Sequence, residues 1–212
     1  MFQKITITIL LVFSLIQISC AEIINVGIYH NRKITAFVFH PEEGNYTVFT
    51  EQGKLLDLDN TALLELVYSN NKVHIKSLDK DYGSFKKVRF VGTSWKNSFK
   101  IKIDGSKKIK IYEDNLFVNL HGYYNYFQLI NNIDINNYVA GVVESEVGRS
   151  PTPEYFKLQA IICRTYALKN IKRHQAEGFS LCDKVHCQAY NRKPKSTLIK
   201  EAAIKTNGIV IV

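Results

Sequence analysis

The sequence has no HExxH motif and no His-rich ligand helix, which argues against the commonest zinc-hydrolase chemistries. It has no helix-turn-helix pattern and no interleaved basic and aromatic platform, so nucleic acid is not an expected partner. No repeat of solenoid length is visible. Tryptophan occurs once, at Trp95, and it and the tyrosines read as core or strand residues rather than as a sugar platform.

What is present fits a folded protein. A chain of 212 residues suffices for one good core or two small ones. An apolar fraction of 46% with 12% aromatics excludes wholesale disorder. The first residues stand apart: Lys4 precedes the apolar stretch ITITILLVFSLIQI, which ends at Ser19-Cys20-Ala21. This pattern predicts a secretory signal peptide over residues 1–21, because the run is short for a membrane span. Cleavage after Ala21 would release a soluble chain starting at Glu22; the alternative is lipidation of Cys20, although Gln17 stands where such sites usually hold Leu. Either route predicts export, to the periplasm or cell envelope.

Lys4 is the only charged residue of that segment, so the formal charge of +9 becomes +8 after its removal. Residues 22–149 are nearly neutral, with sixteen basic and fifteen acidic side chains, whereas residues 150–212 hold eleven against four. A basic half either faces an acidic partner or solubilises the surface. For an exported chain, that partner would be an envelope polymer or membrane rather than nucleic acid.

Residues 22–115 read as β-rich. IINVGIY, ITAFVFH and YTVFT are short β-branched and aromatic runs between turn residues, and FKIKID and KKIKIY flank Asp104-Gly105-Ser106 as a hairpin. LFVNL and YFQLI predict two further strands. The character changes at Asn131. INNYVAGVVESEV predicts a helix, and a second is predicted over Thr152–His174, with Thr152 as N-cap, Pro153 in the first turn and Glu154 at the positive end. Leu158, Ile161, Ile162, Thr165 and Leu168 form its apolar stripe. GIVIV at residues 208–212 reads as a short terminal strand. The expected class is α+β: a β-rich N-terminal part, a helical segment, then a short strand.

The first of these helices carries an anomaly. Glu146 lies eleven, eight, seven, four and three residues beyond Ile135, Tyr138, Val139, Val142 and Val143, on the same apolar face. Glu144 lies about 200° from Val142, at ~100° per residue, and is expected to face solvent. A carboxyl held against apolar side chains has its pKa raised and can act as a general acid on a glycosidic oxygen. A Glu that snorkels, or pairs with Arg149 or Arg164, would look the same in the sequence. Gly141 costs roughly 1 kcal/mol relative to Ala inside a helix, which suggests a close approach by another element or a ligand.

NNYVAGVVESEVGRSPTPEYFKLQAIICRTYAL resembles the hallmark stretch of the SpoIID/LytB family, and SLCDKVHCQAY resembles that family's downstream Cys-Gln-x-Tyr segment. The resemblance covers residues 116–212. It implies a peptidoglycan-cleaving lytic transglycosylase, or a modifier of cell-wall amidases, and places the catalytic acid/base on Glu146. Gln159, Arg164, Thr165 and Tyr166 match the family's second helix, and Gln188 and Tyr190 its later pair; Gln159, Arg164, Tyr166, Gln188 and Tyr190 are the expected substrate-binding residues. Glu144 stands where the family usually has Pro, and Val147-Gly148 where it has Met-Pro. Family domains usually continue into a Gly-Gly segment, so the domain is expected to be incomplete at its C-terminus.

A conventional glycosidase needs two carboxylates. In a lytic transglycosylase the sugar's own 6-hydroxyl attacks instead, and Glu146 would first protonate the leaving oxygen and then accept the hydroxyl proton. Cys163 reads as a small buried residue. Cys182 and Cys187 allow a disulfide, free thiols or, with His174 and His186, a metal set. The resemblance favours zinc, as a brace for the cleft. The competing reading is a non-catalytic wall-binding module or amidase activator.

Overall fold

The computed structural model describes residues 22–121, 124–147 and 152–212. The expected signal peptide and Arg149 lie outside them. Among the described residues, thirteen strands form two sheets. One holds, in spatial order, Leu181–Cys182 (β13), Ile23–Ile28 (β1), Phe127–Asp134 (β12), Asn115–Leu120 (β11), Val88–Gly92 (β8), Tyr46–Thr50 (β3) and Gly53–Leu58 (β4). The other runs Lys110–Glu113 (β10), Ser98–Ile103 (β9), Ala36–Glu43 (β2), Leu64–Ser69 (β5), Lys72–Lys76 (β6) and Asp81–Phe85 (β7).

Period-two alternation drives the packing of these sheets. Phe37 and Phe39 of β2 point inward, as do Phe90 of β8 and Leu116 and Val118 of β11. Phe39 stacks on Phe90 across the sheets, with ring centroids 3.9 Å apart. The result is a β-sandwich closed by aromatic contacts. The expected hairpin forms between β9 and β10, with Gly105 at φ +70° in its turn, where a side chain would be strained. Strands from either side of residue 116 share the first sheet, since β1 pairs with β12 antiparallel and with β13 parallel.

β12 runs directly into the helix Ile135–Glu146 (α1), whose N-cap Asp134 accepts a hydrogen bond from Asn136 N at 2.8 Å. The helix Pro153–Lys169 (α2) starts as predicted, with Thr152 accepting from Tyr155 N. A third helix, Thr197–Lys205 (α3), is capped by Ser196. α1, α2 and α3 pack on one another beside the β1–β12 side of the sheet. The architecture is α+β.

Several expectations are corrected. α2 ends at Lys169, capped by Asn170, rather than at His174; a 3-10 turn over Gln175–Glu177 follows. Its buried face is Phe156, Ala160, Cys163, Arg164 and Ala167, while Leu158 and Ile162 of the predicted stripe are exposed. Small residues face inward because α2 lies close against its neighbours. The late strand is Leu181–Cys182; residues 208–212 join no ladder, and α3 was not anticipated. Trp95 is 96% exposed in the turn between β8 and β9, whereas Tyr46, Tyr112, Tyr138 and Tyr190 are core residues as expected.

Candidate active site and metal centre

α1 is buried on nearly all sides: Ile135, Tyr138, Val139, Ala140, Gly141, Val142 and Val143 are inaccessible. A Cβ on Gly141 would come within 2.5 Å of the Tyr190 ring, so glycine is required by a close approach, as its position suggested. Tyr190 is held there by donating to Asn131 Oδ1 at 2.9 Å, and Asn131 donates in turn to the carbonyls of Glu113 and Asn115.

With neighbours around the whole helix, neither glutamate behaves as a two-faced pattern implies. Glu144 does not face solvent: it is half-buried and accepts from Lys195 N at 2.7 Å and Ser196 N at 2.9 Å, anchoring the chain that enters α3. Glu146, expected against the apolar face of the helix, is exposed at the C-terminal end of α1. The apolar stripe continues to position 146, but its packing partners end a turn earlier. The carboxylate remains near α2, with Oε2 4.0 Å from Cys163 Sγ, and Oε1 accepts from Ala189 N at 3.3 Å.

The other expected substrate-binding residues divide. Gln159 is half-exposed and donates to Tyr155 Oη at 3.1 Å. Tyr166 is half-exposed and packs under Arg173, which donates to both Tyr166 Oη and His186 O at 2.6 Å. Thr165 donates to Ile161 O within the helix. Gln188 and Tyr190 are buried, and Gln188 accepts from Tyr138 Oη at 3.3 Å. Arg164 is 1% exposed and donates to the carbonyls of Ala203, Thr206 and Ile209 and to Asn136 Oδ1. It terminates α3 by donating to carbonyls at its C-terminal end, joining Thr206 Oγ1 on Ala203 O and Ile209 N on Thr206 O. In this arrangement Arg164, Gln188 and Tyr190 shape the site from beneath and present no surface to a polymer. Arg173, Asp183 and Glu177 were missed from the sequence, because nothing in their spacing distinguishes them from surface charges.

His174, Cys182, His186 and Cys187 converge, with ligand atoms all within 4.8 Å of one another. His186 Nδ1 lies 3.8 Å from Cys182 Sγ and 3.7 Å from Cys187 Sγ. Tetrahedral zinc, at about 2.3 Å to sulfur and 2.0–2.1 Å to nitrogen, would hold such atoms about 3.3–3.8 Å apart. His174 Nδ1 bonds Glu177 Oε1 at 2.5 Å, leaving Nε2, which is buried without a hydrogen-bond partner. A carboxylate orienting one imidazole nitrogen so that the other can ligate is a usual feature of zinc sites. The cysteines are free thiols, and burial pushes the Cys182 thiol up to about 11. The donor set therefore fits a tetrahedral metal, whose binding would displace these protons.

Residues 123–212 match the family described as SpoIID, Stage II sporulation protein. No curated protein and no solved structure matches the chain. The matched segment holds α1, α2 and α3, Glu146 and all four converging metal-type residues. Residues 123–212 are thus similar to the SpoIID family, which is associated with cell-wall remodelling.

Proposed function

We propose that this protein is an exported lytic transglycosylase acting on peptidoglycan glycan strands, with Glu146 as its single acid/base. The observation that carries the reading is the placement of Glu146. Its carboxylate is accessible to a polymer, bonded through one oxygen to Ala189 N, and carried on a helix buried from Tyr138 to Val143. The other oxygen faces the buried Cys163.

A strand laid over the end of α1 would cover Glu146 and exclude water from it, providing the desolvation that the protein alone does not impose. Glu146 would donate its proton to the departing glycosidic oxygen. The resulting carboxylate would accept the proton of the sugar's 6-hydroxyl as that oxygen attacks the anomeric carbon, giving a 1,6-anhydro end. His174, Cys182, His186 and Cys187 would hold zinc, which would supply structural cross-linking. That cross-link would fix the Cys187–Tyr190 segment, and with it Ala189 N and the ring against Gly141.

The exposure of Glu146 also suits a non-catalytic wall-binding or amidase-activating module. Incubation with denuded glycan strands separates the two readings. Anhydro-sugar ends detected by mass spectrometry, and reduced about 10²–10⁴-fold in Glu146→Gln, support catalysis. Strand binding without new ends in either protein supports the binding module.

A further inference from the structure

A second polar cavity opens beside the metal cluster, lined by His30, Arg32, His121, Tyr126, Gln128 and Glu177 among others, but not by Glu146, Cys163 or Ala189. Its volume is about 110 Å³, room for one edge of a sugar ring rather than for an enclosed ligand. Its floor is apolar and tight: Phe179 lies so close to the backbone that a Cβ on Gly27 would fall 2.7 Å from its ring.

Three features distinguish this cavity from an ordinary surface dent. The rings of Tyr124 and Tyr126 stack at 5.4 Å and 13°, and His121 packs against both, while Tyr124 stays 54% exposed. Tyr126 is half-buried in this stack, so Tyr124 supplies the exposed aromatic surface beside the cavity. His121 Nδ1 is buried with no hydrogen-bond partner among the described residues, a cost normally offset by a ligand or water. Arg32 is exposed and has no carboxylate partner among the described residues.

The cavity is also pre-formed. Tyr29 and Asn31 adopt left-handed φ values of 55° and 69°, costly for non-glycine residues. Asp183 holds this turn by accepting from Tyr29 N at 2.8 Å and His30 N at 3.1 Å. Glu177 bridges His30 and His174. Asp183 follows Cys182 in sequence, so one wall of the cavity is tied to the metal segment at two points.

We propose that this cavity is an accessory saccharide site that grips an N-acetylated amino sugar of the glycan strand. A pyranose offers a C–H face to Tyr124, which stacks on Tyr126 at the cavity's edge, and a hydroxyl edge to Gln128 and His121. Arg32 is placed for an acidic substituent on that sugar. The site would hold the strand apart from the cleavage point, which explains how a protein whose Arg164, Gln188 and Tyr190 are buried can still grip a polymer. This inference rests on the wall-glycan reading for the identity of the sugar.

Calorimetric titration of the zinc-loaded full chain with an N-acetylglucosamine tetramer and with denuded glycan strands tests it. Tyr126→Ala should weaken both probes at least tenfold, and Tyr124→Ala serves as the second variant should the first misfold. Arg32→Ala should weaken only the acid-bearing strands, and Lys72→Ala, an exposed residue of β6 in the other sheet, should leave both affinities intact. Unchanged melting temperature and zinc content establish that each variant is folded. Equal binding by wild type and folded Tyr124→Ala or Tyr126→Ala overturns the site while leaving cleavage at Glu146 standing. If wild type binds neither probe and releases no anhydro ends, the wall-glycan reading falls as well.

Discussion

Glu146 and Cys163 meet where α1 crosses α2, Oε2 4.0 Å from Sγ. Burial, reinforced by the charge of Glu146, pushes the Cys163 thiol up to about 12. The thiol is therefore protonated at neutral pH and offers the carboxylate a weak S–H rather than a competing anion. Since the thiolate is the nucleophile, Cys163 should resist iodoacetamide at pH 8 in the folded protein and react only on unfolding. Peptide mass spectrometry reads this directly, and rapid alkylation of native protein would show that the α1–α2 contact opens.

Glu144 carries a different expectation. By accepting from Lys195 N and Ser196 N it anchors the approach to α3. Glu144→Gln weakens two charge-assisted bonds, and Glu144→Ala removes them at a cost of about 1–3 kcal/mol. Denaturant unfolding should show this loss for Glu144→Ala. Cleavage per folded molecule should not change, because Glu144 faces away from Glu146's surroundings.

This residue marks the limit of what the sequence conveys. The β-branched and aromatic runs marked the strands that carry Phe37, Phe39, Leu116 and Val118, and these residues face inward because each strand of the sandwich has one buried face. The α1 pattern placed Ile135, Tyr138 and Val142 inward for the same reason. The argument failed where burial was not one-sided. Glu144 is enclosed by a segment fifty residues downstream, and α2 buries Ala160, Cys163 and Ala167 while leaving Leu158 and Ile162 outside. The convergence of His174 with Cys182, His186 and Cys187 was legible from spacing. The roles of Glu177 and Asp183 were not, since each depends on a backbone turn that only the tertiary structure brings near.

Metal binding should couple to stability. Glu177 bonds His174 Nδ1 at 2.5 Å, and outer-shell partners of this kind are typically worth 10–100-fold in metal affinity. Glu177→Gln should therefore bind zinc roughly 10–100-fold more weakly, and Cys187→Ser should bind it weakly or not at all. Competition with a chromophoric chelator measures both. Chelation should lower the melting temperature of wild type and leave that of Cys187→Ser unchanged.

Glu113 makes a pH prediction. Burial raises its pKa above the usual carboxylate value, and the hydrogen bond and charge of Lys200, with Lys193 nearby, only partly offset this. The folded state thus holds this proton more tightly than the unfolded chain does. The associated stability is complete below the unfolded value, about 4.3, and is lost as pH rises through the folded value. Glu113→Gln removes that titration. Its stability relative to wild type should improve from pH 4 toward pH 7 in urea melts, and a difference that moves the other way would mean the Lys200 pair outweighs burial.

Arg164 separates two roles that the sequence left open. The side chain is buried, and its donors serve Ala203 O, Thr206 O, Ile209 O and Asn136 Oδ1. Lysine has a single ammonium and no planar fork, so it cannot span these acceptors. Removing one partner from a buried charged network costs roughly 3–5 kcal/mol, and both Arg164→Lys and Arg164→Met should lose stability on that scale, with α3 and residues 206–209 losing hydrogen-exchange protection first. If the role is purely architectural, glycan-strand affinity measured on the folded fraction at low temperature should match wild type. A variant that keeps its unfolding midpoint but loses strand affinity would instead return Arg164 to the binding surface, and would require α3 to move aside when the strand arrives.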